Sequence, residues 1–262
     1  MLRYLRLLAV GLRISLSLGM QYRWNFVVDG AVSILWTALG LVPLYVAFQA
    51  RPELEGWTYA TALVVVGWFS VLKGILDGAV NPSLLTVVDQ IRHGTLDFVL
   101  LKPADAQFLV STAKFEPWKV LDGVAAIGIF AWAFHLLGRV PSPLHALASL
   151  GLLACATLVL YSIWILVISA AFWVVRLDNL AYLFNSVFDF ARWPVSVFRG
   201  ALRIVFTFVI PLGIMTTYPA EALLGTLSLR TALLSVGGAL AFAVVSRSAW
   251  TRALGRYTSA SS

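Results

Sequence analysis

Apolar runs of about 18 residues or more recur along almost the whole chain, and each is long enough to cross the roughly 30 Å hydrocarbon core of a bilayer as a helix. A soluble domain of similar length would alternate polar and apolar faces instead. The 262 residues are 60% hydrophobic and 12% charged, against roughly 45–50% and 25% in soluble domains, so only lipid can act as solvent for this surface. Lipid offers the backbone no hydrogen-bonding partners, which restricts such spans to α-helices. The expectation is an all-α integral membrane protein with residues 1–262 forming a single transmembrane domain. Its excess of basic over acidic residues, +7, is scattered between the runs with no patch or cluster, which excludes nucleic-acid binding and fits basic cytoplasmic loops.

The first stretch, 1–23, begins like a signal peptide with Arg3 and Arg6, but Arg13 interrupts its apolar segment and no small-residue cleavage site follows. On a helical wheel Arg3, Arg6 and Arg13 fall within about 80° of one another, with Leu5, Leu8, Leu12 and Leu16 on another side, which predicts a helix in the cytoplasmic membrane interface; the alternative is the basic flank of the first span. Spans are predicted from Trp24 to Phe48, Trp57 to Leu76, Trp118 to Leu137 and Leu144 to Val175, with Trp118 and Trp173 at their water ends. A polar connection, 77–117, separates the second span from the third. Beyond Arg176 the pattern loosens: Leu180 to Trp193 is apolar but short, Ile204 to Thr217 contains Pro211, and a last run extends from Thr231 to Val245.

Seven crossings would put Arg247, Arg252 and Arg256 on the outer side, against the positive-inside rule. Six crossings keep them with Arg3, Arg6, Arg13, Arg23, Lys73, Arg92, Lys102, Lys114, Lys119 and Arg176 on the cytoplasmic side, with both termini there. The second irregular segment then becomes a re-entrant hairpin within 195–228, marked by Pro194, Pro211, Tyr218 and Pro219.

Ser70, Gly74 and Gly78 recur every four residues and form a small-residue stripe for close helix packing, either within one protomer or at a dimer seam. Lys73 and Asp77 are also four apart and are placed to pair, with Asp29 at similar depth. The sequence contains no phosphate-binding loop, no H-E-x-x-H and no G-x-S-x-G, and His93, His135 and His145 lie in separate segments without metal spacing. The expectation is therefore no catalytic, metal or cofactor residue in this chain. Transport, channel formation or scaffolding remain.

The 77–117 connection carries the most information. Asn81 suits an N-cap, Pro82 a first turn and Gly94 a helix end, while Leu84, Leu85, Val87, Val88 and Ile91 supply an apolar face. Such a helix either rests on the lipid surface or sits in a groove of a cytosolic partner, with Asp89, Arg92 and His93 near the contact. The stretch Ile91-Arg92-His93-Gly94-Thr95-Leu96-Asp97, continuing through Leu100-Leu101-Lys102-Pro103, resembles the cytoplasmic I-x-x-G-T-L-D…L-L-x-P signature of a bacterial family of type-2 (ABC-2) exporter permeases.

That resemblance implies an N-terminal interfacial helix, six spans and a re-entrant extracellular hairpin before the last, in the bacterial inner membrane. It implies two permeases, identical or related, joined to two cytosolic ATPase subunits that hold the ATP and magnesium. It makes the 81–94 helix a coupling helix, with an interface of Leu84, Val88, Asp89, Ile91, Arg92, His93, Gly94, Thr95 and Asp97. The function implied is an exporter's permease subunit; the reading set against it is a membrane scaffold that anchors a cytosolic complex without transport.

Overall fold

The computed structural model describes residues 2–21, 23–172 and 178–257. Helix α1 (Leu2–Gln21) precedes α2 (Arg23–Ala50), and a two-residue hairpin, β1 (Glu53–Leu54) with β2 (Trp57–Thr58), turns the chain back into α3 (Tyr59–Ile75). A π turn, Leu76–Val80, joins α3 to α4 (Asn81–Arg92), and the short helices α5 (Asp97–Leu100) and α6 (Ala106–Ser111) follow. The remaining helices are α7 (Val120–Leu137), α8 (Pro143–Ser169), α9 (Asp178–Phe188), α10 (Ala201–Ile204), α11 (Tyr218–Leu224) and α12 (Leu229–Leu254). Five helices among the described residues are long and apolar enough to cross a membrane: Val27–Ala50, Tyr59–Ile91, Pro117–Leu137, Pro143–Ser169 and Leu229–Leu254.

The core centres on α8 and the inner half of α3. Trp164, Ile165 and Ile168 of α8 are fully buried, together with Leu72 and Leu76 from the α3 side, Phe188 and Trp250. By contrast α2, α7 and α12 leave Leu35, Ile127, Trp132, Leu233, Leu240 and Val244 open, as helices do when one side faces lipid. Small residues set the approach of α3 to α7: a Cβ on Gly67 would lie 2.5 Å from the Phe130 ring, and one on Gly74 would lie 3.2 Å from the Asp122 Cβ. The Ser70/Gly74/Gly78 stripe thus packs inside one chain.

The α3–α4 junction differs from the expected helix start. Asn81 has helical φ and ψ and continues an existing helix, so it is not an N-cap; its side-chain amide donates instead to Asp77 at 2.9 Å and Asn185 at 3.4 Å. Pro82 cannot donate to the carbonyl four residues earlier. That carbonyl, on Gly78, accepts the Glu116 N–H at 2.8 Å, so the missing bond is supplied by the chain returning towards α7.

Two ends of the bundle can be distinguished. The distal end holds the 51–58 hairpin and the 138–142 turn; the basal end holds 77–117, with α1 laid along it. Tyr4 packs its ring on Phe108, Ser15 Oγ accepts the Phe115 N–H at 3.1 Å, and Gly19 lies beside Pro117.

The fifth crossing is shorter as a helix than the sequence suggests. α9 gives way to a 3-10 turn at Asp189–Arg192 and then to extended chain at Trp193 and Pro194. The path still leads from end to end: Phe184 packs on Trp164 near the basal end of α8, and Ser196 accepts a 3.0 Å hydrogen bond from the Trp57 indole at the distal end. The fourth span is α-helical only to Ser169 and turns 3-10 over Ala170–Phe172, while Trp173, Val175 and Arg176 lie outside the described residues.

The pair Ala201–Val209 and Gly213–Leu224 bends by 66° at Pro211. Arg199, just before it, pairs with Glu55, and Leu224 at its end offers its carbonyl to Arg139. Both partners are distal, so the pair enters and leaves the same end. Cysteines placed at the exposed Ala201 and Thr226 on a Cys155→Ala background are therefore expected to react with an impermeant thiol reagent from one and the same side. Labelling from opposite sides would make the pair a crossing.

Candidate functional site

The basal tip is a helical turn built around Gly94, whose φ of 68° ends α4. The Thr95 N–H donates to the Gln90 carbonyl at 2.9 Å and folds the chain back into α5. This orients the expected interface residues in two directions. Leu84 and Val88 belong to the protein's own core, 0% and 7% exposed, so neither is available to a partner. The reason is that α4 continues α3 and carries the same buried stripe downward. Ile91 is half-buried against that core, whereas Asp89, His93 and Thr95 are exposed. Gly94 and Asp97 are half-buried, and the Arg92 side chain lies outside the described residues.

The apolar groups that do face outward are Leu85, Phe98 and Leu101, 42%, 69% and 80% exposed. Sequence reasoning missed the last two, although their i, i+3 spacing across α5, between Asp97 and Lys102-Pro103, carried the signal. Asp89 and His93 are exposed on the same basal segment.

The tip is tied to the rest of the basal end by Arg247 of α12. Its guanidinium donates to both Asp105 oxygens, at 3.2 and 2.6 Å, and to Gln107 at 2.7 Å, and Gln107 in turn donates to the Tyr161 hydroxyl at 3.0 Å. The Arg247 hydrogen bond, outweighing burial, holds the Asp105 carboxyl below the usual aspartate range. A group whose folded pKa is lowered stabilises above its ordinary value, about 3.9, and loses that contribution as pH falls through the lowered one. Asp105→Asn is accordingly expected to loosen 105–111 at pH 7, read as several-fold faster amide exchange. The unaltered chain should show that loosening only below about pH 4; its appearance at pH 6 would remove the clamp from the argument.

The second feature is a cavity of about 500 Å³ between α2, α3, the start of α7 and the 189–192 turn. Along its wall runs an alternating chain of charges, in which Asp77 stands behind the lining residues. Asp122 lies 3.6 Å from Lys119, Lys119 3.4 Å from Asp77, Asp77 3.6 Å from Lys73, Lys73 3.8 Å from Asp189, and Asp189 3.1 Å from Arg192. Ser33 of α2 donates to Asp122, and Arg192 lies over the Phe69 ring at 5.1 Å. Three acids and three bases cancel, which is how charges survive among apolar helices. The sequence made only the Lys73–Asp77 pair and the closeness of Asp189 to Arg192 visible.

The residues marking the hairpin lie apart from this cavity. Pro194 opens a 3-10 turn at Val195–Val197, Pro211 forms the bend, Tyr218 packs its ring where a side chain on Gly213 would stand, and the Pro219 carbonyl accepts the Ser149 hydroxyl at 2.6 Å.

A family model described as "ABC-2 family transporter protein" matches residues 34–261. No curated protein and no solved structure matches the chain.

Proposed function

The chain belongs to the ABC-2 transporter family, and from that premise we propose that it is an export permease driven by a separate cytosolic ATPase, which docks on the basal tip. As a family member it is a membrane permease component of an ABC transporter. The observation that carries the finer reading is the joining of the tip to the spans. Tyr59–Ile91 is one 33-residue helix, about 50 Å long at 1.5 Å per residue, and so exceeds the roughly 30 Å hydrocarbon core by about two fifths of its length. Force applied at Phe98 and Leu101 therefore passes through the Gly94 turn into this helix, and through Gly67 and Gly74 to α7.

In this mechanism ATP and magnesium stay in the ATPase. Closure of an ATPase pair displaces the tip, α4 transmits the displacement past the π turn, and α3 moves relative to α2 and the 189–192 turn, which line the cavity. A second copy of this chain, or a related permease, completes the assembly. The positive-inside rule places the tip in the cytoplasm, because Arg3, Arg6, Arg13, Lys102, Lys114, Arg252 and Arg256 belong to the basal side. The distal Arg199 is offset by Glu55, whose carboxyl it holds below the usual range. A scaffold without transport has no use for a charge-lined cavity, which favours the permease. Tagged protein purified in mild detergent should retain a stoichiometric nucleotide-hydrolysing subunit; a clean preparation without ATP hydrolysis would overturn the proposal.

A further inference from the structure

The cavity lining holds three acids, Asp29, Asp122 and Asp189, and three bases, Lys73, Lys119 and Arg192, but Asp77 behind the wall is shared by Lys73 and Lys119, so the cluster as a whole carries four acids against three bases. Lys73, Lys119 and Arg192 are each paired along the alternating chain, and all three of its acids are used. Asp29 lines the same cavity, is exposed to it, and has no ion pair among the described residues. It stands on α2, seven residues into a helix whose next stretch, from Ala31 to Leu44, is almost entirely apolar. Asp29 lies two residues inside the start of the apolar span at Val27, and a carboxylate there needs a counter-charge or water.

The cavity is also polarised along its length. Asp29, Lys119 and Asp122 belong to its basal part, while Leu39, Pro43 and Val66 line the distal part. The indole of Trp36, 69% exposed, stands two turns above Asp29 on α2. An anion has no spare base to meet in this cavity, and a neutral apolar molecule would leave the carboxylate uncompensated. An organic cation satisfies both parts: its positive nitrogen or phosphorus meets Asp29 and the faces of the aromatic rings, and its apolar body fills the space beside Leu39 and Pro43.

We propose that the cavity between α2, α3, α7 and the 189–192 turn binds a lipophilic organic cation through Asp29, and that this is the class of molecule the permease moves. The second clause rests on the exporter reading; the first does not. The test uses full-length permease in neutral-lipid nanodiscs and two probes of matched shape and opposite charge, tetraphenylphosphonium and tetraphenylborate, with binding followed by equilibrium dialysis.

Saturable binding of the phosphonium is expected, with the borate bound at least about tenfold more weakly after correction for partition into empty discs. Asp29→Asn should weaken phosphonium binding by about tenfold or more, and Asp29→Glu should retain it. Trp36→Ala, which removes an exposed ring, should also weaken it. Each variant is compared at equal elution volume and thermal midpoint, which separates lost binding from lost fold. Equal binding of the two probes, binding unchanged in Asp29→Asn, or no saturable binding at all would overturn the proposal. Because these readings need no ATPase, such a failure leaves the copurification test of the exporter reading untouched. Binding as expected in a chain that copurifies with no ATPase would instead strike the exporter reading and leave the cation site standing.

Discussion

Phe98→Asp and Leu101→Asp are each expected to release the ATPase from the purified complex while the permease remains folded in the membrane. Both side chains stand clear of the protein's own core, 69% and 80% exposed, so a carboxylate there stays in water and costs the fold little. At an interface the same change removes an apolar anchor and buries a charge. Truncating such an anchor typically costs about 2 kcal/mol or more, which is about a thirtyfold loss of affinity, and adding the charge increases it. The informative control lies near the start of α4. Leu84 is fully buried, so Leu84→Asp places an unpaired charge inside the core and should reduce the amount of folded protein itself. Copurification and stimulated ATP hydrolysis measure the first effect, and membrane abundance measures the second. If Phe98→Asp and Leu101→Asp both leave the ATPase bound, the docking tip is misplaced; if Leu84→Asp releases it from an intact permease, the orientation of α4 is wrong.

This contrast also shows which parts of the molecule were legible in the sequence. Long apolar runs survive any tertiary arrangement, because a span must satisfy its backbone within itself; hence α2, α3, α7, α8 and α12 fall where hydropathy places them. The fifth crossing was blurred because Asp189 and Arg192 interrupt the run and 3-10 and extended backbone complete it. The direction of α4 was hidden because an amphipathic face signals burial without saying against what. Leu84 and Val88 were expected to meet a partner, and they meet α8 and the rest of the core. The π turn decides this by carrying the phase of α3 into α4, and its cause is partly the Pro82–Gly78–Glu116 arrangement, whose parts lie in separate segments.

The charged cavity was the least legible feature. Spacing of three or four residues pairs Lys73 with Asp77 and Asp189 with Arg192, but the links that join these pairs run between distant segments. Lys119 reaches Asp77, Lys73 reaches Asp189, and Ser33 reaches Asp122 across 89 residues. A single sequence gives no period for such links. What it did offer was their composition: four acids within apolar spans, three of them near bases.

That alternating chain supports the second large effect, which concerns stability. Asp122→Asn changes almost no volume but leaves the alternating chain with three bases against two acids, at a side chain that is 4% exposed. Removing one partner of a buried ion pair typically costs about 3–5 kcal/mol where the remaining charge loses all compensation; Lys119 keeps Asp77 at 3.4 Å, so the low end, about 3 kcal/mol, is expected here. For a chain of this size that corresponds to a thermal midpoint lowered on the order of 10 °C in detergent. Gly74, packed against the Asp122 Cβ, leaves little room for water to substitute. If charge balance is the cause, removing the opposite charge should restore much of the loss, so Lys119→Met with Asp122→Asn is expected to melt well above Asp122→Asn alone. Additive losses in the double variant would mean that Lys119 and Asp122 act through separate contacts, and an unchanged midpoint in Asp122→Asn would mean that water already compensates this end of the cavity. Either result would remove the electrostatic link between α7 and α3, leaving their coupling to the small-residue packing at Gly67 and Gly74 alone.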